Sequence, residues 1–123
     1  MRKMLISVTI LTFLLTTTPT FSQHRPLYDT KLLRLAEILG SLHYLQNLCG
    51  IPTNRWHNYM KTLIETEKPA PKRLAYFYQA FNEAYRAFSE SYHDCTQSAA
   101  EASQRYIKEG RILSENLLLN PRN

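Results

Sequence analysis

Two cysteines are all the chain possesses, and neither sits in a C-x-x-C-H run, which excludes covalent haem attachment by that motif. No stretch reaches the ~20 consecutive apolar residues that a spanning helix needs; the run from Met4 to Leu15 is too short for a permanent membrane span. Sustained alternation of apolar and polar residues is missing, so nothing in the chain reads as a half-buried strand. Internal repeats and low-complexity linkers are also missing. Basic residues are scattered, with Lys72 and Arg73 the only adjacent Lys/Arg pair after residue 22, so the footprint of a nucleic-acid-binding surface is lacking.

The N-terminal segment MRKMLISVTILTFLLTTTPTFSQ opens on Arg2 and Lys3, continues through the apolar run and turns small and polar around Pro19. That is the three-part layout of a secretory signal peptide. Thr20 and Ser22 fit the small-residue positions before a cut, which places the mature start at Gln23. No cysteine lies near the cut, so a lipid-modified N-terminus is not available there. Removing Arg2 and Lys3 from the 15 basic residues, against 10 acidic ones, lowers the formal charge from +5 to +3 and weakens the case for a polyanion partner. The expected organisation is a signal peptide over 1–22, then one helical domain over 23–123 in the periplasm.

Export decides how the cysteines are read. An even pair in a small exported domain reads first as a disulfide, here Cys49 with Cys95. Closing the loop between them would contribute on the order of 4 kcal/mol in the chain-entropy model. Two alternatives use the histidines: a catalytic thiol partnered by His43, His57 or His93, and a zinc site from Cys49, His57, His93 and Cys95. The spacing of that set matches no structural zinc pattern, and an exported pair is better read as oxidised than as reactive. No metal and no cofactor is expected.

Helical periodicity covers almost all of the rest. From a cap at Asp29, Leu32, Leu35, Ile38, Leu39, Leu42 and Leu45 form an apolar stripe leading to Cys49, where Gly50 and Pro52 end the helix. Thr53 or Asn54 caps a short second helix burying Trp56, Tyr59, Met60, Leu63 and Ile64. After EKPAP a third helix begins near Pro71 with a stripe of Leu74, Phe77, Tyr78, Phe81, Ala84, Tyr85, Phe88 and Tyr92, expected to be covered by the chain's own helices. Asp94 or Thr96 caps a fourth, whose inner face uses Ala99, Ala102, Tyr106, Leu113 and Leu117; Gly110 within it marks either a close contact or a kink. The expected fold is all-α: a small antiparallel four-helix bundle, its second helix short, clipped where Cys49 and Cys95 meet.

Three constellations could carry function. Arg34, Glu37 and Ser41 share a stripe on the first helix; a buried carboxylate suited to acid-base work is one reading, and a surface Arg34–Glu37 pair is the preferred one. No second carboxylate is placed to work with Glu37 as a hydrolase dyad. Arg55, Trp56 and His57 occupy a short helix beside a loop and combine residue types that anchor interfaces, although Trp56 can equally be a core anchor. The many tyrosines are read as core and rim rather than as a binding box.

The blocks RLAEILGSLHYLQNLCG, WHNYM, FNEAYRAFSESYHDCT and YIKEG, spread from Tyr28 to about Leu118, resemble a family of small exported alphaproteobacterial proteins catalogued as a domain of unknown function. That resemblance implies a periplasmic helical protein and brings no activity or ligand. The residues favour a non-enzymatic module binding an envelope protein or a cell-wall component through Arg55, Trp56 and His57. The alternative is a small-molecule- or metal-binding bundle, or a weak enzyme, using Glu37, His43 and the tyrosines.

Overall fold

The computed structural model describes residues 27–119, which form four helices and no strand: α1 (Leu27–Cys49), α2 (Arg55–Glu67), α3 (Pro71–Ser91) and α4 (Gln97–Leu119). The segment 1–22, expected from the sequence to be a signal peptide, lies outside the described residues. None of the four helices is long and apolar enough to cross a membrane.

α1 is the element on which the others rest. It buries Leu32, Ala36, Ile38, Leu39, Gly40, Ser41, Leu42 and Leu45, positions that point to several sides of a helix rather than to one stripe. A helix apolar on nearly every side must be surrounded. Accordingly α2, α3 and α4 all pack on α1 while meeting one another only marginally through their backbones. Contacts fix the directions: Tyr28 meets Glu67 and His43 meets His57, so α2 runs against α1. Lys31 bonds Asn116 while Gln46 bonds Ser103, so α4 does too. Asp29 meets Arg73 and Tyr44 meets Tyr85, so α3 runs with α1. This is an up-down-up-down bundle whose parallel pair is in direct contact.

Gly40 makes that contact possible. A Cβ placed there would lie 2.1 Å from the Phe81 carbonyl oxygen and 2.8 Å from its carbonyl carbon, so α1 and α3 touch backbone to backbone. Around the crossing, Leu32, Ala36 and Leu39 of α1 pack with Met60 of α2 and with Phe77 and Phe81 of α3. A second cluster, Leu45 with Ala99 and Ala102, lies toward the other end and is covered by Tyr44, Phe88, Tyr92 and Tyr106.

The ends are tied by different chemistry. At the end where α1 finishes, Cys49 and Cys95 are joined with Cα atoms 4.9 Å apart across 46 residues of sequence. Beside the bridge, the Tyr44 hydroxyl donates to the Tyr92 carbonyl. At the opposite end Arg73 holds Asp29 at 2.5 Å and Glu67 at 3.3 Å, and the Tyr28 hydroxyl donates to Glu67 at 2.5 Å.

The caps and faces offered by the sequence are decided, with Asp29 and the covering of Tyr59, Tyr78 and Tyr85 corrected. Asp29 lies inside the first described turn of α1, and its carboxylate accepts hydrogen bonds from Nε and one terminal nitrogen of Arg73 instead of capping. Asn54 occupies the cap position of α2 without a side-chain bond; Thr53 Oγ1 accepts the Arg55 N–H at 3.2 Å. Thr96, not Asp94, supplies the side chain at the head of α4, its Oγ1 accepting the Ala99 N–H at 3.1 Å. Tyr59 is 51% exposed, and Tyr78 and Tyr85 are exposed as well, so the aromatic stripe of α3 is wider than the surface that covers it. Gly110 marks a close contact, since a Cβ there would come within 3.1 Å of Ile38 Cγ2.

Two substitutions test this reading. Gly40→Ala should destabilise the fold by ~3 kcal/mol or more, because the obstruction is backbone and cannot rotate away; thermal melting of the two proteins checks it. Lys68, the C-cap of α2, holds φ 44° and ψ 54°, a left-handed conformation that costs a non-glycine residue about 1–2 kcal/mol. Lys68→Gly should therefore raise the melting temperature, by a few degrees for a gain of about 0.5–1 kcal/mol.

Candidate functional site

The feature with the shape of a site is an open groove between α2 and α4. Because these helices lean on α1 and not on each other, a cleft is left between them above α1, over the half-buried Leu35 and the buried Ile38, Leu39 and Leu42. Two adjoining hollows of about 390 and 250 Å³ share Leu35, Leu39, Tyr59 and Ser114. Leu35, Ile38, Leu39 and Leu42 of α1 form the floor; Tyr59, Thr62, Leu63 and Thr66 form the α2 wall. The α4 wall is Ile107, Gly110, Arg111 and Ser114. At the α4 wall Gly110 sits close against Ile38, and the Ser114 hydroxyl is turned back onto the Gly110 carbonyl at 2.7 Å, so no long side chain of α4 rises at these two positions.

Trp56 stands in the groove wall with its ring half-buried. The Arg55 guanidinium lies over the indole, 5.3 Å from the centroid, and Tyr59 meets it edge-on at 5.7 Å. The indole Nε1 is buried and makes no hydrogen bond among the described residues. Arg55 and Arg111 form no ion pair among the described residues, whereas Arg34 and Arg73 do.

The trio Arg55, Trp56 and His57 is divided by the helix. Successive residues on a helix do not face each other, and His57 turns to the α3 side, its ring 5.8 Å from His43 and 6.1 Å from Phe81. His43 is enclosed there by His57, Phe81 and Tyr85, and its Nδ1 is buried without a hydrogen bond among the described residues. Burial pushes the His43 pKa below its ordinary value, and the nearby His57 adds to the effect.

The set Arg34, Glu37 and Ser41 is divided too. Arg34 pairs with Glu37 at 2.9 Å and reaches across to α4, where Nε and a terminal nitrogen donate to both carboxylate oxygens of Glu109 at 2.8 and 2.9 Å. The hydrogen bonds from Arg34 lower the Glu109 pKa, and those to Glu109 raise that of Arg34. Ser41 is buried away from the pair and donates to the Glu37 carbonyl at 2.8 Å. Glu37 thus spends its carboxylate on a helix-to-helix staple and lies on a different face of α1 from His43. Glu109 is a partner that the sequence reading missed; its YIKEG context gives no clue to which α1 residue it faces. Among the described residues no three or more His, Cys, Asp or Glu converge as a metal-binding group, and the sulfurs of Cys49 and Cys95 are committed to each other.

The His43 environment makes stability depend on pH. Its folded pKa lies below the unfolded value of about 6.5, so between the two the unfolded chain holds a proton that the folded chain does not. Stability should fall as pH drops through 6.5 toward the folded pKa and be fully recovered above 6.5. Melting temperatures at pH 7.5 and 5.5 should differ less for His43→Gln than for the parent chain; an equal difference would show that His43 does not titrate in this window.

Comparison with known proteins adds the family alone. No curated protein and no solved structure matches the chain. A family model described as "Protein of unknown function (DUF2385)" matches residues 27–120, which takes in all four helices, both cysteines and the groove, and the chain belongs to that family.

Proposed function

We propose that this protein is an exported, non-enzymatic binding module of the cell envelope, working in the periplasm, and that the α2–α4 groove is its binding surface. The observation that carries the reading is the apolar cleft over the half-buried Leu35, walled by the exposed Tyr59 and by Trp56 with Arg55 stacked upon it. Tryptophan and arginine are the residue types that most often dominate binding energy. The signal-like N-terminus and the Cys49–Cys95 bridge support export, because disulfides persist in oxidising compartments. Relative to the sequence expectation, the binding surface moves: Arg55 and Trp56 stay in it, Tyr59 and Arg111 join it, and His57 leaves it.

Two measurements test this. Intact mass of the protein recovered from the periplasm should begin at Gln23 and take up thiol reagent only after reduction; a mass retaining Met1, or thiols free before reduction, would overturn export. A photo-crosslinking residue at Tyr59, introduced into the full chain in cells, should give a defined adduct that the same residue at the exposed Lys61 does not. Arg55→Glu should reduce that adduct at least tenfold with the melting temperature unchanged. An equal yield from both positions would show that the groove is not a binding surface.

A further inference from the structure

Resting on the binding-module reading, we propose that the α2–α4 groove takes a single-chain anionic amphiphile, a fatty carboxylate, with its alkyl chain along the floor and its charged head met by Arg55 and Arg111.

The shape argues for a chain. From Trp56 to Thr66 the α2 wall runs ten residues, roughly 15 Å at 1.5 Å per residue, so the groove is long in one direction and bounded on both sides by helices. The larger hollow, about 390 Å³, falls within the ~300–1,000 Å³ of small-molecule sites. Leu35, Leu39, Leu63 and the Tyr59 ring give it an apolar lining, and its polar groups are hydroxyls, those of Tyr59, Thr62, Thr66 and Ser114. An alkyl chain needs no hydrogen-bond partner there.

Charge argues for an acid. No aspartate or glutamate lines either hollow, and Arg111 stands in the wall of the smaller one. Arg55 lies on the Trp56 ring beside it. Both guanidiniums are without a carboxylate among the described residues, while Arg34 and Arg73 at the other helix contacts are each held by two carboxylates. Arginine pairs with carboxylates in bidentate geometry.

Trp56 is the only tryptophan in the chain, so its fluorescence reports the groove directly. Dodecanoate, kept below micelle-forming concentrations and added to the mature disulfide-bonded protein, should give a saturable change with one molecule bound. Octanoate, decanoate and dodecanoate should tighten roughly tenfold per two carbons, as expected when each added methylene is buried. Dodecanol should bind at least tenfold more weakly than dodecanoate. Arg111→Glu, an exposed position that leaves the fold intact, should weaken dodecanoate at least tenfold and leave dodecanol unchanged. No saturable response to dodecanoate, or equal binding of acid and alcohol unaffected by Arg111→Glu, would overturn the proposal. If dodecanoate fails while the Tyr59 crosslink joins a defined envelope protein, the amphiphile is wrong and the binding module stands; if both fail, both readings fall.

Discussion

A single helix that is apolar on nearly all sides cannot exist at a surface, and the rest of this structure follows from the need to enclose α1. With Ala36 and Ile38, Leu39 and Leu42, and Gly40 and Ser41 all buried, three separate neighbours are required. The fold supplies them as α2, α3 and α4. Each neighbour is then chiefly a cover for α1, with little backbone contact to the other two. The consequence for function is geometric. The thirteen residues of α2 and the stretch of α4 around Gly110 and Ser114 cover α1 without meeting each other, and the cleft between them is the groove.

The tight crossing at Gly40 and the bridge at Cys49 act on the same pair of neighbouring chain segments from different positions. The crossing fixes how near α1 and α3 lie; the bridge fixes where the turn after α3 sits relative to the end of α1. In between, Tyr44 spans the two, its hydroxyl on the Tyr92 carbonyl and its ring edge-on to Tyr85. The opposite end relies on Arg73 between Asp29 and Glu67. Burial works against the charge of Arg73, and the hydrogen bonds it donates to these carboxylates, together with their negative charge, outweigh it, so its pKa is raised. That end joins three helices with one guanidinium, and it leaves α4 to be anchored through Lys31 and Asn116.

Much of the fold was legible because helix periodicity and helix breakers are local signals. Pro71 at the first position of α3, Gly50 and Pro52 after α1, and the cysteine at each end of the pairing are visible without knowing what packs on what. The four helices and the bridge follow from them. What was not legible depends on register between helices. The stripe of α1 could be read as one face with Arg34, Glu37 and Ser41 interrupting it, when in fact Ser41 is core and Arg34 is the link to Glu109. Gly40 sits in RLAEILGS with nothing to mark it, since its meaning comes from the Phe81 backbone 41 positions later. The site suffered in the same way. Arg55, Trp56 and His57 are adjacent in sequence and divided in space, and the Arg111 that shares the groove with Trp56 comes from another helix altogether.

The covalent ring closed by Cys49 and Cys95 contains all of α2 and α3 and neither α1 nor α4, apart from the cysteine that ends α1. The exposed turn between Glu67 and Pro71 lies inside that ring. A protease that nicks the chain there produces two polypeptides that remain one molecule, joined by sulfur at one end and by the cluster around Gly40 and Phe81 in the middle. A cut at that turn therefore frees neither half, and the same holds for the exposed Gly50, Ile51 and Pro52 ahead of α2, which also lie within the ring.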